Sequence, residues 1–199
     1  MEPKVAVVGT GRHGSGFVAA VLCAADVACG HEAWWNPIDT HAVDLAVDSS
    51  FCAVPDLLGR RYGPAVVHVH RHPLLVIASL VAVADWGPYM TVRDRLVPRH
   101  ARSVPLVDYM AETWVRWTVA TLHLDVEATW ALDDITGDPA TFTKVVAGLA
   151  DIDPDLPEVW PGPVNEHNTR GYRVRLADIT DPGLRDDVAE LGMDLGYQL

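Results

Sequence analysis

The sequence predicts an α/β protein, a three-layer sandwich with a central parallel sheet and a P-loop-like phosphate-binding turn after its first strand. Three observations predict it. Short apolar runs, Val5–Val8 and Val66–His70, read as buried strands. Each is followed by an apolar segment of helical length. Between the first strand and its helix lie four glycines, Gly9, Gly11, Gly14 and Gly16. Strands buried on both faces and alternating with helices belong to a parallel sheet covered on both sides.

The elements follow in order. Val5–Val8 is a strand that ends at Gly9, and Phe17–Ala25 is an apolar helix. Val66–His70 is β-branched and ends at Arg71; Pro73 opens a helix through about Ala84, since proline suits a first helical turn. Asp85–Pro105 is polar and reads as a loop or mobile lid. In Asp108–Leu122, Met110, Trp114, Trp117 and Thr121 recur at three- or four-residue steps, a helix whose tryptophans belong to the core. Glu127–Leu132 is a strand, Asp138-Pro139 opens a helix, Asp151–Pro163 is irregular, and Asp181–Leu195 is a last helix closed by Gly196. There is no internal repeat and no dividing linker, so residues 1–199 are expected to form one domain.

Composition narrows the function. Half the residues are hydrophobic, as in a globular protein. A formal net charge of −12 argues against a general nucleic-acid or membrane binder. The run Leu74–Ala84 is too short to span a bilayer. Cys23, Cys29 and Cys52 form no metal or disulfide pattern, and the N-terminus has no signal-peptide core; a cytoplasmic protein with reduced thiols is expected. Oligomeric state is not set by the sequence.

A strand, a glycine-rich turn and a helix N-terminus make a phosphate site. The glycines let the backbone approach the ligand, and the helix end offers free N–H groups and a positive dipole. Gly9, Gly11 and Gly14 match the dinucleotide fingerprint, with Glu32 where a ribose-binding acid could sit. Gly9 and Gly14 also have Walker spacing, but Ser15 and Gly16 replace the Lys and Ser/Thr of that motif. A kinase-like reading therefore ranks lower.

Two segments carry a resemblance to one family. Gly11-Arg12-His13-Gly14-Ser15-Gly16-Phe17 resembles the 5′-phosphosulfate loop of sulfotransferases, which runs Pro, Lys or Arg, Ser, Gly, Thr, Thr, aromatic. Arg12 takes the cationic place, Gly14 the glycine and Ser15 the first hydroxyl; Gly11, His13 and Gly16 depart from the pattern. His68-Val69-His70-Arg71-His72-Pro73 through Ser79 resembles the 3′-phosphate segment, which ends a strand with Arg-x-Pro and places a Ser eight residues after the Arg. A guanidinium at a strand end beside a helix N-terminus suits a dianionic phosphate; the role of Ser79 is implied by the resemblance alone. Trp114, Trp117, Trp130–Ile135 and Asp138-Pro139 are similar to the family's central helix and next strand end. Arg170-Gly171 is similar to its late basic-Gly segment, or is an ordinary loop.

The resemblance implies 3′-phosphoadenosine 5′-phosphosulfate as sulfuryl donor, adenosine 3′,5′-bisphosphate as product, and a hydroxyl-bearing acceptor, whether small molecule, sugar or peptide. The transferred group carries less charge than a phosphoryl group, so no metal is required. Arg12 would stabilise the leaving phosphate oxygen. A base must take the acceptor proton. Cys29-Gly30-His31-Glu32 resembles the Cys-Gly-Glu-Glu stretch of tyrosylprotein sulfotransferases, whose second Glu is the base. Glu32 falls on that position; His31 and Asp48 are the other candidates. His68, His70 and His72 alternate like metal ligands, but buried, hydrogen-bonded histidines are the expectation. Two other functions stay open: an NAD(P)-binding Rossmann oxidoreductase, and a nucleotide-binding domain without catalysis.

Overall fold

A computed structural model describes residues 1–35, 44–84, 92, 94–97, 104–162 and 172–199. In chain order the elements are β1 (Val5–Val8), α1 (Ser15–Ala24), β2 (Cys29–His31), β3 (Val47–Ser49), α2 (Ala53–Leu57), β4 (Ala65–His70), α3 (Pro73–Ala82), α4 (Leu106–Leu122), β5 (Val126–Ala131), α5 (Leu132–Gly137), α6 (Pro139–Leu149), a 3₁₀ turn (Leu176–Asp178) and α7 (Pro182–Asp194). Among the described residues no helix is long and apolar enough to cross a membrane.

The five strands form one sheet in the order β2-β3-β1-β4-β5, and every pairing is parallel. β1 is central: Val5 lies opposite both Val47 of β3 and Ala65 of β4. Its four residues are fully buried because helices cover both faces. Alternation divides them. Val5 and Val7 join Val67, Val69, Phe17, Leu22 and Phe142 in one cluster, under α1 and α6. Ala6 and Val8 join Val66, Ile77, Trp114, Trp117 and Val188 in the other, under α3, α4 and α7. The expected three-layer sandwich with a parallel sheet is the fold observed.

Local chemistry explains the helix starts. Asp138 accepts a hydrogen bond from Thr141 N at 3.1 Å and precedes Pro139; Asp181 does the same for Leu184 N before Pro182. The sequence reading omits the short helices α2 and α5 and differs from the fold at the strands and the first helix as well. It begins the first helix at Phe17, whereas α1 starts at Ser15, directly after the left-handed Gly14. It also omits β2 and β3, which are three residues each. Asp85–Pro105 lies largely outside the described residues.

This strand order has a consequence for the site. From β1 the chain moves to β2 at one edge, returns to β3 beside β1, and then crosses to β4 on the other side. In open parallel sheets ligands sit beyond the carboxyl ends of the strands, where the order reverses. That point is the end of β1, where the glycine turn begins.

Candidate functional site

The turn is built by backbone freedom at two glycines and one arginine. A Cβ on Gly9 would strike the carbonyl oxygen of Val69 and the His13 ring, so only glycine lets the loop leave β1 so close to β4. Arg12 (φ 74°) and Gly14 (φ 109°) are left-handed and wind the chain into α1. His13 is turned inward. It is fully buried, its N–H donates to Thr10 O at 3.1 Å, and its Nδ1 meets the same oxygen at 2.5 Å. Burial lowers its pKa to about 4, so the ring is neutral. The Phe17 ring is likewise in the core. Any contact of these two residues with a phosphate therefore comes from their backbone. Gly11 is buried, Ser15 opens α1, and Gly16 is exposed with the His31 ring 3.5 Å from where a Cβ would lie.

The second segment meets the first. Arg71 stands partly exposed on the turn between β4 and α3, and Ser79 is buried in α3. Arg12 Nε donates to Ser79 Oγ at 2.9 Å, across 67 residues of sequence. The two segments read separately from the sequence thus share one side-chain contact at the end of β1.

On the other side of the turn lies a cluster around Glu32. This residue follows β2 in a left-handed conformation (φ 57°), and its N–H donates to Ser49 O at 3.1 Å. Ser15 Oγ donates to Glu32 Oε1 at 3.4 Å. Ser50 Oγ and Cys52 Sγ donate to Oε2 at 3.2 and 3.1 Å. Burial outweighs these bonds and raises the Glu32 pKa to about 7. His31 Nε2 lies 3.0 Å from Ser15 Oγ and 3.9 Å from Glu32 Oε1, with its side chain about half exposed. Its pKa is lowered by burial, with Asp48 acting against the shift and Arg12 with it.

Asp48 is placed differently. Its carboxylate accepts from Ala33 N at 3.1 Å and Trp34 N at 2.9 Å, which holds the chain after Glu32. Gly30 is required here, because a Cβ would lie 2.7 Å from Asp48 Oδ1. Of the three base candidates, Asp48 is thus occupied in holding backbone, while Glu32 and His31 face Ser15.

The strand histidines are not equivalent. His70 Nδ1 is 2.8 Å from the Tyr197 hydroxyl, whereas His68 Nδ1 and His72 Nδ1 are buried without a hydrogen-bond partner among the described residues. Hydrogen-bonded histidines were expected; His70 meets this at Nδ1, whereas His68 Nδ1, on the sheet face, and His72 Nδ1, just ahead of α3, do not. Burial lowers the His68 pKa to about 3. Trp114 and Trp117 are core residues, with Trp117 tilted against Phe51 at 5.7 Å. Arg170 and Gly171 lie outside the described residues. Sequence reasoning missed Ser50, Cys52 and Tyr197; Ser50 adjoins the Asp48-Ser49 pair, but no motif marked the other two.

No protein-family model matches the chain, and no curated protein matches it. A search of solved structures does find a likeness. The sulfotransferase domain of the olefin synthase from Synechococcus PCC 7002 superposes with a TM-score of 0.54 at 14% identity, covering 100% of this chain and 96% of that one. At this identity the likeness concerns the fold, and it is a sulfotransferase-like α/β fold.

Proposed function

We propose that the protein is a sulfotransferase that uses 3′-phosphoadenosine 5′-phosphosulfate and an acceptor hydroxyl on a small molecule, sugar or peptide. The observation that carries this reading is the 2.9 Å bond from Arg12 to Ser79, which joins the two nucleotide-like segments at the switch point of the sheet. The local chemistry fits an anionic nucleotide: a glycine cradle, a ten-residue helix with its N-terminus at the turn, and two arginines. When bound, the donor would supply an activated sulfuryl group on a good leaving phosphate. Arg12 and the N–H groups of the turn would stabilise charge on that leaving oxygen, Arg71 and Ser79 would hold the 3′-phosphate, and Glu32 would take the acceptor proton, with His31 beside it. A base with a pKa of about 7 is half ionised at neutral pH, which suits proton transfer in both directions. The thiols of Cys23, Cys29 and Cys52 are free, which suits a reducing compartment, so we propose a cytoplasmic location.

The dinucleotide reading is disfavoured by strand order. A Rossmann sheet runs 3-2-1-4, with the second strand beside the first; here β3 separates β2 from β1.

Thermal unfolding with adenosine 3′,5′-bisphosphate, NAD⁺ or Mg–ATP tests the proposal. A ligand at about a hundred times its Kd adds roughly 2.7 kcal/mol, which should raise Tm by about 5–10 °C in a chain of this size. The bisphosphate alone should do so, and Arg71→Ala should abolish the shift. Stabilisation by NAD⁺ and not by the bisphosphate would replace this reading with the oxidoreductase.

A further inference from the structure

We propose that Ser50 and Cys52 are positioning residues that clamp one carboxylate oxygen of Glu32, Oε2, and leave Oε1 as the oxygen that receives the acceptor's proton. The proposal rests on Glu32 being the base of the sulfuryl transfer.

The clamp is built from the sheet outward. Ser50 follows β3, and its N–H donates to Val7 O of β1 at 2.9 Å, so it is fixed to the central strand. Its hydroxyl accepts from Cys52 N at 3.1 Å, which leaves its single hydrogen for Glu32 Oε2 at 3.2 Å. The Cys52 thiol reaches the same oxygen at 3.1 Å. Both side chains are buried, Ser50 at 0% and Cys52 at 3% exposure, so water does not compete for these bonds. Oε2 therefore accepts two fixed side-chain donors, enough to occupy its two lone pairs, and the Phe51 backbone N–H also bonds this carboxylate. The proton can enter at Oε1. That oxygen faces the turn, with Ser15 Oγ at 3.4 Å and His31 Nε2 at 3.9 Å. In the step itself the acceptor O–H bond breaks, its electron pair stays on the acceptor oxygen, and the proton binds Oε1.

The clamp also sets the ionisation of the base. Burial pushes Glu32 up and the Asp48 carboxylate pushes it the same way, while the Cys52 and Ser50 bonds, and a hydrogen bond from the Phe51 backbone N–H, pull it down. The titratable groups facing it are His31 at the end of β2, Asp48 on β3 and Cys52 ahead of α2; Ser15 from α1 is neutral. Removing one donor should therefore make Glu32 a weaker acid. A hydrogen bond to a charged group is worth enough to move a midpoint by about one pH unit.

The test is a titration of the Glu32 carboxyl by ¹³C NMR in the full chain, labelled at glutamate and assigned with Glu32→Gln. Wild type should titrate near pH 7. Cys52→Ala and Ser50→Ala should each shift the midpoint up by about one unit, and Cys52→Ser, which keeps a donor, should restore it. In turnover, the acid limb of the kcat/KM profile should move with the midpoint, with about a fivefold loss at pH 7 carried by kcat and not by KM. Midpoints that stay put in both alanine variants overturn the clamp. Because the titration needs neither donor nor acceptor, that result leaves the sulfotransferase reading untouched. Shifted midpoints in a protein that transfers no sulfuryl group would confirm the clamp geometry and overturn the base role given to Oε1.

Discussion

Glu32 is held in a place that disfavours its charge, and this should be measurable in the absence of any substrate. Its folded pKa is about 7 against 4.5 for an unburied glutamate. Between those values the folded state binds more protons than the unfolded one. The contribution is fully present below about pH 4.5 and is lost as pH rises through 7. Glu32→Gln removes it. The stability of Glu32→Gln relative to wild type should thus improve by on the order of 2–3 kcal/mol between pH 5 and pH 8. Urea midpoints of the two proteins at both pH values measure this. A constant difference would mean that the carboxylate is solvated, and that its place beside Ser15 does not tune a base. Loss of stability at a carboxylate that can be improved by an amide is the usual mark of a residue kept for chemistry.

The first helix and its turn show how one element divides its glycines by role. At Gly14 φ is 109°, and a Cβ would lie 2.7 Å from Leu132 Cδ1. At Gly16 φ is ordinary, and a Cβ would meet the His31 ring at 3.5 Å or more. Gly14→Ala should cost at least about 1–2 kcal/mol, from the left-handed backbone and the contact together. Gly16→Ala should be neutral or stabilise by up to about 1 kcal/mol, since a helix favours alanine over glycine. Denaturation midpoints of the pair decide it; an indifferent Gly14→Ala would mean that the turn does not hold the conformation described. Much of this element was readable beforehand, because an apolar strand, a glycine turn and an apolar helix are each local patterns. β4, α3, α4 and α7 were readable for the same reason. β2 and β3 were not. Cys29-Gly30-His31 and Val47-Asp48-Ser49 have neither the length nor the β-branched run of a strand, and they exist because β1 offers a partner to β3 and β3 offers one to β2. With β3 hidden, so were Ser50 and Cys52, which it carries to Glu32 across 18 and 20 residues. The Arg12–Ser79 contact was hidden in another way: both residues stood out as motif members, but only the parallel order places them together. At His13 and Phe17 the loop pattern gave the position but not the direction of the side chain, which the core takes in both.

The whole molecule unfolds with two neutral histidines inside it, and its acid stability follows from them. His13 has a pKa of about 4 and His68 of about 3, both lowered from 6.5 by burial. Between those values the unfolded chain binds the extra protons. Their contribution is complete above about pH 6.5 and is lost as pH falls. From pH 7.5 to 5.0 each should remove about 2 kcal/mol, or about 4 kcal/mol together. That is a large part of the 5–15 kcal/mol typical of a domain. His31 and His70 are lowered in the same direction and act in the same sense. Glu32 acts against them, since its protonated form gains about 2 kcal/mol over that interval. Summed over His13, His68 and Glu32 alone, wild type should therefore weaken by about 1–2 kcal/mol on acidification and Glu32→Gln by about 4, the contributions of His31 and His70 being common to both. Urea unfolding of both proteins at pH 7.5 and 5.0 measures the two slopes. Equal slopes would remove Glu32 from the balance. Two shallow slopes would mean that His13 and His68 are hydrated, and that the glycine turn does not rest on a dry histidine beneath it.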